Sequence, residues 1–236
     1  MGANWDWQVF LRDTGGDETY LQWLLSAWGW TCFVAICSFV VAMTIGTIIG
    51  VLRTLPNKFL VFCGDAWTEL FRNIPLLVQL FLWYHVIPAL FPSLRALSSF
   101  TLVVIALGIY TSARISEQVR AGIQSLPSGQ KAAGLAMGFS LRQTYQYVLL
   151  PMAFRILIPP LTSEAMSIVK NSSVAFAVSV AELTMFALQA QEETSRGVEI
   201  YLAVTGLYFV TAIIVNRLMI FLEHRLRIPG ALAGGH

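Results

Sequence analysis

The chain has 236 residues, of which 56% are hydrophobic and only 12% charged, and its mean hydropathy is +0.68. Too little charge is available to cover a soluble fold of this size, so the composition places the chain among membrane proteins. A formal net charge of +2 is too small to argue for nucleic acid as a partner and makes the distribution of basic residues more informative than their sum.

The first twenty residues contain Asp6, Asp13, Asp17 and Glu18 and lack a basic head followed by an apolar core. The first span is therefore expected both to target and to anchor. Residues 24–52 carry no charge, and about 20 apolar residues suffice to cross the hydrocarbon core, which predicts a first transmembrane helix. Its Gly46 and Gly50, four apart, fit either ordinary close helix packing or a dimer face. Cys32, Cys37 and Cys63 have no metal-ligand spacing and read as reduced packing residues rather than a disulfide or metal set.

After the basic turn around Pro56, residues 59–72 read as an interfacial helix, with Glu69 and Arg72 placed to pair. A second span follows over about 73–94, starting near Pro75 in the first turn. His85 within it reads as a packed histidine. The third span, about 96–114, is ended by Arg114, Glu117 and Arg120. Residues 120–151 then break the apolar rhythm: Gly129, Gly134 and Gly138 punctuate good helix formers, predicting two short helices joined by turns. A fourth span of about 151–178 begins at Pro151 and contains Arg155, Glu164 and Lys170, with a kink or late start at Pro159 and Pro160. The segment QAQEETSRGVE reads as a polar loop, a fifth span covers about 200–222, and a basic tail follows.

The expected fold is thus all-α and integral to the membrane, with five transmembrane helices. Arg53, Lys58, Arg72, Arg114, Arg120, Lys131, Arg142, Arg217, Arg225 and Arg227 fall on one set of loops, against Arg12, Arg95 and Arg196 on the other. Basic residues mark cytoplasmic loops, so the N-terminus is expected outside and the C-terminus in the cytoplasm. The loop between helices 3 and 4, about 120–150, then becomes the largest cytoplasmic loop.

Read from Gly129, that loop resembles the signature of permease subunits of bacterial ABC importers. The family's E-A-A-like triplet falls on Ala132, Ala133 and Gly134, its second Gly on Gly138, and its I-x-L-P end on Val148, Leu150 and Pro151. Ala132 stands where the family commonly has a glutamate. ELFRNIPLLVQ from Glu69, EQVRAGIQSLPSGQ from Glu117 and PPLTSEAMSIVKNSS from Pro159 resemble the polar amino-acid branch. NWDWQVFL, TSARISEQVRA, QKAAGLAMG and TSEAMSIVKNS look closest to the glutamate/aspartate permeases.

The resemblance implies a single ABC transporter type-1 transmembrane domain over residues 1–236, in a bacterial inner membrane. Its implied partners are two copies of a cytoplasmic ATP-binding subunit, an extracytoplasmic amino-acid-binding protein, and a second permease, either a sister chain or a second copy. An absent glutamate at Ala132 favours a sister that retains it. ATP and magnesium would be bound by the partner, because this chain contains no GxxxxGK[ST] phosphate loop. No enzyme activity, cofactor or metal is expected in the chain itself.

For contact with the ATPase the expected residues are Ser125, Gly129, Ala132, Ala133, Gly134, Leu135, Gly138 and Leu141, small side chains permitting close approach and leucines filling a groove. The alternative, a helix lying on the membrane, would call for a more basic polar face. Arg114 is the candidate for holding an acidic amino acid, because guanidinium binds carboxylate bidentately; its alternatives are a salt bridge to Glu117 or a membrane-edge anchor. Glu117, Glu164 and Lys170 are further candidates along the substrate path. A secondary transporter would call for more spans or an internal repeat, and a membrane enzyme for a catalytic set that His85 alone does not supply.

Overall fold

Thr19 starts the longest uncharged helix through a capping box: its hydroxyl accepts from the Gln22 N–H, and the Gln22 side chain takes the Thr19 N–H. Helix α1 (Tyr20–Leu52) runs 33 residues, about 50 Å at 1.5 Å per residue, and fits the first predicted span. The computed structural model describes residues 5–226, and these are helical apart from turns and an isolated bridge between Asp13 and Thr19.

Asn57 caps α2 (Lys58–Asn73) by accepting from the Phe59 and Leu60 N–H groups. A break at Ile74 and Pro75 turns the chain by 104° into α3 (Leu76–Leu90). The break frees carbonyls that a continuous helix would satisfy. The Gln79 side-chain amide donates to two of them, Phe71 O at 2.7 Å and Ile74 O at 2.9 Å. Arg72 does not pair with Glu69; it approaches Glu117 at 3.9 Å. His85 lies exposed, its ring against Phe81 and Tyr84.

Helix α4 (Ser99–Gln124), capped by Ser98, has 26 residues. It continues through Arg114, Glu117 and Arg120, which the sequence had suggested would end it. These charges are tolerated because each meets an opposite charge on another helix. After α5 (Ser128–Ala136), a capping box of Ser140 and Gln143 starts α6, which runs from Leu141 to Val178. The fourth span therefore begins ten residues before Pro151. Pro151 lacks the N–H that would bond Tyr147 O, and the helix widens to a π turn over Tyr145–Leu149 instead of stopping. The same device, Leu82–Val86, precedes Pro88 in α3. Pro159 and Pro160 lie inside α6 without a break.

The first six residues of the predicted polar loop, QAQEET, instead close a helix, α7 (Leu183–Thr194). Leu183, Phe186, Ala187 and Ala190 recur at helical spacing and are all buried, which is why the polar string QAQEET folds as it does. Finally α8 (Gly197–Leu226) supplies the last span. The tail beyond it, including Arg227, lies outside the described residues. Four helices, α1, α4, α6 and α8, are each long and apolar enough to cross a membrane, and the bent pair α2–α3 makes up to five.

The core is built on α1 against α4. A Cβ at Gly46 would stand 2.7 Å from Ile115 Cβ, and one at Gly50 2.6 Å from Val119 Cβ. Of the two readings of this glycine pair, the structure realises the intramolecular contact. Apolar clusters follow the α1 axis from the end that carries Tyr20 to the end that carries Leu52, the last of them including Ile115, Tyr145 and Leu157.

Candidate functional site

Arg114 and Gln118 lie one helical turn apart on α4 and so share a face. Both reach Glu164 on α6: Arg114 Nη2 is 3.1 Å from Glu164 Oε1, and Gln118 Nε2 donates to the same oxygen at 2.9 Å. Glu164 is 4% exposed, whereas the Arg114 side chain is 36% exposed. Glu164 Oε2 and Gln118 Oε1 are buried without a hydrogen-bond partner among the described residues. The cluster thus combines a partly accessible guanidinium, able to take a carboxylate, with two buried acceptor oxygens that lack a partner among the described residues. Arg114 sits about 22 Å along α4 from Ser99 at 1.5 Å per residue, well inside the span rather than at its edge.

Of the other path candidates, Lys170 is exposed on a different face of α6. Glu117 is drawn into a second ionic cluster instead. Arg53, 5% exposed, donates from Nε to Asp65 Oδ1 at 2.6 Å, from Nη1 to Ser116 Oγ at 3.1 Å and from Nη2 to Glu117 Oε1 at 2.8 Å. Arg120 closes the cluster on Asp65 at 3.2 Å. Glycine at position 64 lets α2 lie on the arginine stem, since a Cβ there would stand 2.5 Å from Arg53 Cγ. The sequence reading treated Arg53 as one charge of a basic turn. The signal available was the hairpin itself: a turn at Pro56 folds Asp65 back beside Arg53.

At this same end of the bundle, α5 and the start of α6 form an elbow. Gly138 ends α5 in a left-handed conformation, φ +84°, which a side chain would oppose. Gly134 is buried, and a Cβ there would stand 2.8 Å from Thr144 Cγ2, so its smallness serves the elbow itself. Ser125, Gly129, Ala132, Ala133 and Leu135 are exposed, while Leu141 is half-buried. Met137 at 67% and Tyr147 at 61% exposure extend the apolar side of the elbow beyond the residues expected from sequence.

At the opposite end, α7 folds back into the bundle. Glu182 Oε1 accepts from Met185 N at 3.0 Å, and Oε2 from Thr184 N at 2.9 Å and from the Tyr208 hydroxyl at 2.8 Å. Leu183 N donates to Thr31 Oγ1 at 3.1 Å. Thr31 and Tyr208 each lie three turns, about 16 Å, from the starts of α1 and α8, so α7 begins deep in the bundle and rises to its rim. There Tyr20 donates to Glu193 at 2.8 Å, and Asp6 N donates to Glu199 Oε1 at 2.8 Å. Sequence reasoning missed Glu182; an acid placed directly before a run of helical periodicity is the N-cap signal that marks it.

Among the described residues no group of three or more His, Cys, Asp or Glu is placed to hold a metal ion. The family model described as binding-protein-dependent transport system inner membrane component matches residues 42–228. Glutamate/aspartate import permease protein GltJ of Escherichia coli (strain K12) is 40% identical, over 99% of this chain and 100% of its own length. The probable glutamine ABC transporter permease protein GlnM of Bacillus subtilis (strain 168) is 35% identical over 83% of this chain and 89% of its own. Among solved structures, an amino acid ABC transporter with histidines superposes with a TM-score of 0.76 at 29% identity, covering 87% of this chain and 95% of that one. The MetNI methionine ABC transporter in an inward-facing conformation has the same fold, with a TM-score of 0.77 at 21% identity over 88% of this chain and 98% of its own. With the apolar helices of the bundle, a family match over most of the chain and full-length likeness to GltJ, the chain belongs to the inner membrane components of binding-protein-dependent transport systems.

Proposed function

We propose that this chain is the membrane subunit of an ATP-driven importer of acidic amino acids, glutamate and aspartate. The observation that carries the substrate class is the Arg114 cluster: a guanidinium within the long apolar helix α4, 36% exposed and 3.1 Å from a buried carboxylate, beside two buried acceptor oxygens without a partner among the described residues. A substrate carboxylate takes the exposed face of Arg114, while the buried Glu164 carboxylate holds the guanidinium in place from behind. Full-length likeness to the glutamate/aspartate permease supports the same class. Lys170 and Glu117 stand away from this cluster, and Glu117 serves the ionic cluster at Arg53.

The whole chain, residues 1–236, acts as one type-1 transmembrane domain. The Leu52 end, with Arg53, Lys58, Lys131 and Arg142, faces the cytoplasm and the Tyr20 end faces outward, in keeping with the bias of basic residues. The elbow of α5 is the coupling loop, its exposed Leu135 and Met137 seated in a groove of the ATP-binding subunit. Two copies of that subunit bind ATP and magnesium. A sister permease completes the membrane pair, and an extracytoplasmic binding protein delivers substrate to the Tyr20 end.

Co-expression with the ATP-binding subunit tests the arrangement. A Met137→Cys variant is expected to cross-link to that subunit in membranes. An Ala89→Cys variant, at the other end, is expected to react only with reagents added from outside. Cross-linking from the Ala89 side, or none from Met137, would reverse or remove the coupling assignment.

A further inference from the structure

We infer that Tyr145 and Arg53 form a transmission joint, through which movement of the α5 elbow is passed to α1 and from there to α2 and α4. The inference rests on the reading of α5 as the ATPase-contacting loop. Tyr145 is 5% exposed, its ring packed in the apolar cluster at the Leu52 end. Its hydroxyl is 2.8 Å from Thr54 O and 3.1 Å from Thr54 Oγ1. The Thr54 hydroxyl donates to Val51 O at 2.8 Å, so the phenol is the donor toward Thr54, whose carbonyl, the nearer acceptor, lies just past the end of α1. The next residue back is Arg53, which binds acceptors on α2 and α4 simultaneously.

The elbow has little freedom to move without Tyr145. Gly134 on α5 lies so close to Thr144 that a Cβ would stand 2.8 Å from its methyl group, and Thr144, 0% exposed, is bonded in sequence to Tyr145. A swing of α5 therefore presses on Thr144, and the phenol carries the displacement to the end of α1. Packing alone does not require the hydroxyl, because phenylalanine fills the same space. The hydroxyl adds direction: it fixes the register of the end of α1 against the start of α6.

The test uses the assembled complex in proteoliposomes: this chain, its ATP-binding subunit, its sister permease and its binding protein. The readout is radiolabelled L-glutamate imported per ATP hydrolysed. Tyr145→Phe is expected to lower that ratio about fivefold, the weight of one hydrogen bond in a two-state balance, with ATP hydrolysis retained and the thermal midpoint lowered by no more than about 2–4 °C. Arg53→Lys keeps the charge, yet one ammonium cannot bridge the three acceptors, and it is expected to lower the ratio as well. The double variant is expected to be no worse than the more severe single one, since both interrupt one path.

An unchanged ratio in Tyr145→Phe, or effects that multiply in the double variant, would overturn the joint. So would a parallel fall in stability and ATP hydrolysis, the mark of a purely structural bond. If Met137→Cys still cross-links to the ATP-binding subunit while the ratio is unchanged, the joint alone is overturned. If the cross-link is absent, the coupling assignment and the joint fall together.

Discussion

Removing the Arg114 guanidinium separates what it does for the fold from what it does for substrate. In Arg114→Ala, Glu164 keeps a single donor, Gln118 Nε2 at 2.9 Å, and its other oxygen has none. Breaking a buried ion pair by deleting one partner costs about 3–5 kcal/mol. Because the arginine side chain is 36% exposed, solvent already shares its charge, which moves the figure down to about 2–3 kcal/mol. For a chain of this size that is a fall of roughly 5–10 °C in the unfolding midpoint, read by thermal unfolding of the purified complex in detergent. Arg114→Leu with Glu164→Leu removes both charges and is expected to recover stability to within about 1 kcal/mol of the unaltered protein. Uptake of acidic amino acids is expected to stay at least about tenfold reduced in the single and the double variant alike. A double variant that imports glutamate normally, or a single variant that unfolds at the unaltered temperature, would refute this reasoning.

Two further outcomes follow from the packing. Gly50→Ala places a Cβ 2.6 Å from Val119 Cβ and 2.9 Å from Ser116 O, so an overpacking cost of about 1–3 kcal/mol is expected in thermal unfolding; Gly129→Ala, with nothing within 4 Å, is expected to be neutral or slightly stabilising. Glu182→Ala removes the acceptors of Thr184 N, Met185 N and the Tyr208 hydroxyl, a loss of about 2–4 kcal/mol. Amide exchange at Thr184 and Met185 is expected to accelerate while the interior of α1 stays protected, and unchanged exchange there would contradict the capping role.

What could be read from the sequence was set by where each charge finds its partner. Helices α1 and α8 were legible because long stretches of them carry no charge, so length and hydropathy suffice. The extent of α4 was not, because Arg114, Glu117 and Arg120 look like a span's end until their partners Glu164, Arg53 and Asp65 are brought beside them. Those partners are far away in sequence, and hydropathy counts only local residues. Helix α7 was hidden for a different reason: the polar face of QAQEET outweighs its buried stripe of Leu183, Phe186, Ala187 and Ala190, although the helical period was present. The start of α6 was misplaced because Pro151 suits a first turn, and nothing local announces that a π turn admits it to the middle of a helix instead. Within the candidate site, Arg114 and Glu164 were each singled out from sequence, but their mutual contact was not; Gln118, which completes the cluster, carries no charge to draw attention to it. Gly134 and Gly138 were singled out as small residues for close approach of the ATPase, and the structure adds an internal use for each: a close approach to Thr144 and a left-handed turn.

The claim that this chain conducts acidic amino acids at the expense of ATP is tested most directly by uptake into proteoliposomes. The complete complex, reconstituted with its binding protein, is expected to accumulate radiolabelled glutamate and aspartate only when ATP is present on the side of the α5 elbow. Accumulation driven by an ion gradient without ATP, or ATP-dependent uptake of neutral or basic amino acids with glutamate and aspartate excluded, would contradict it.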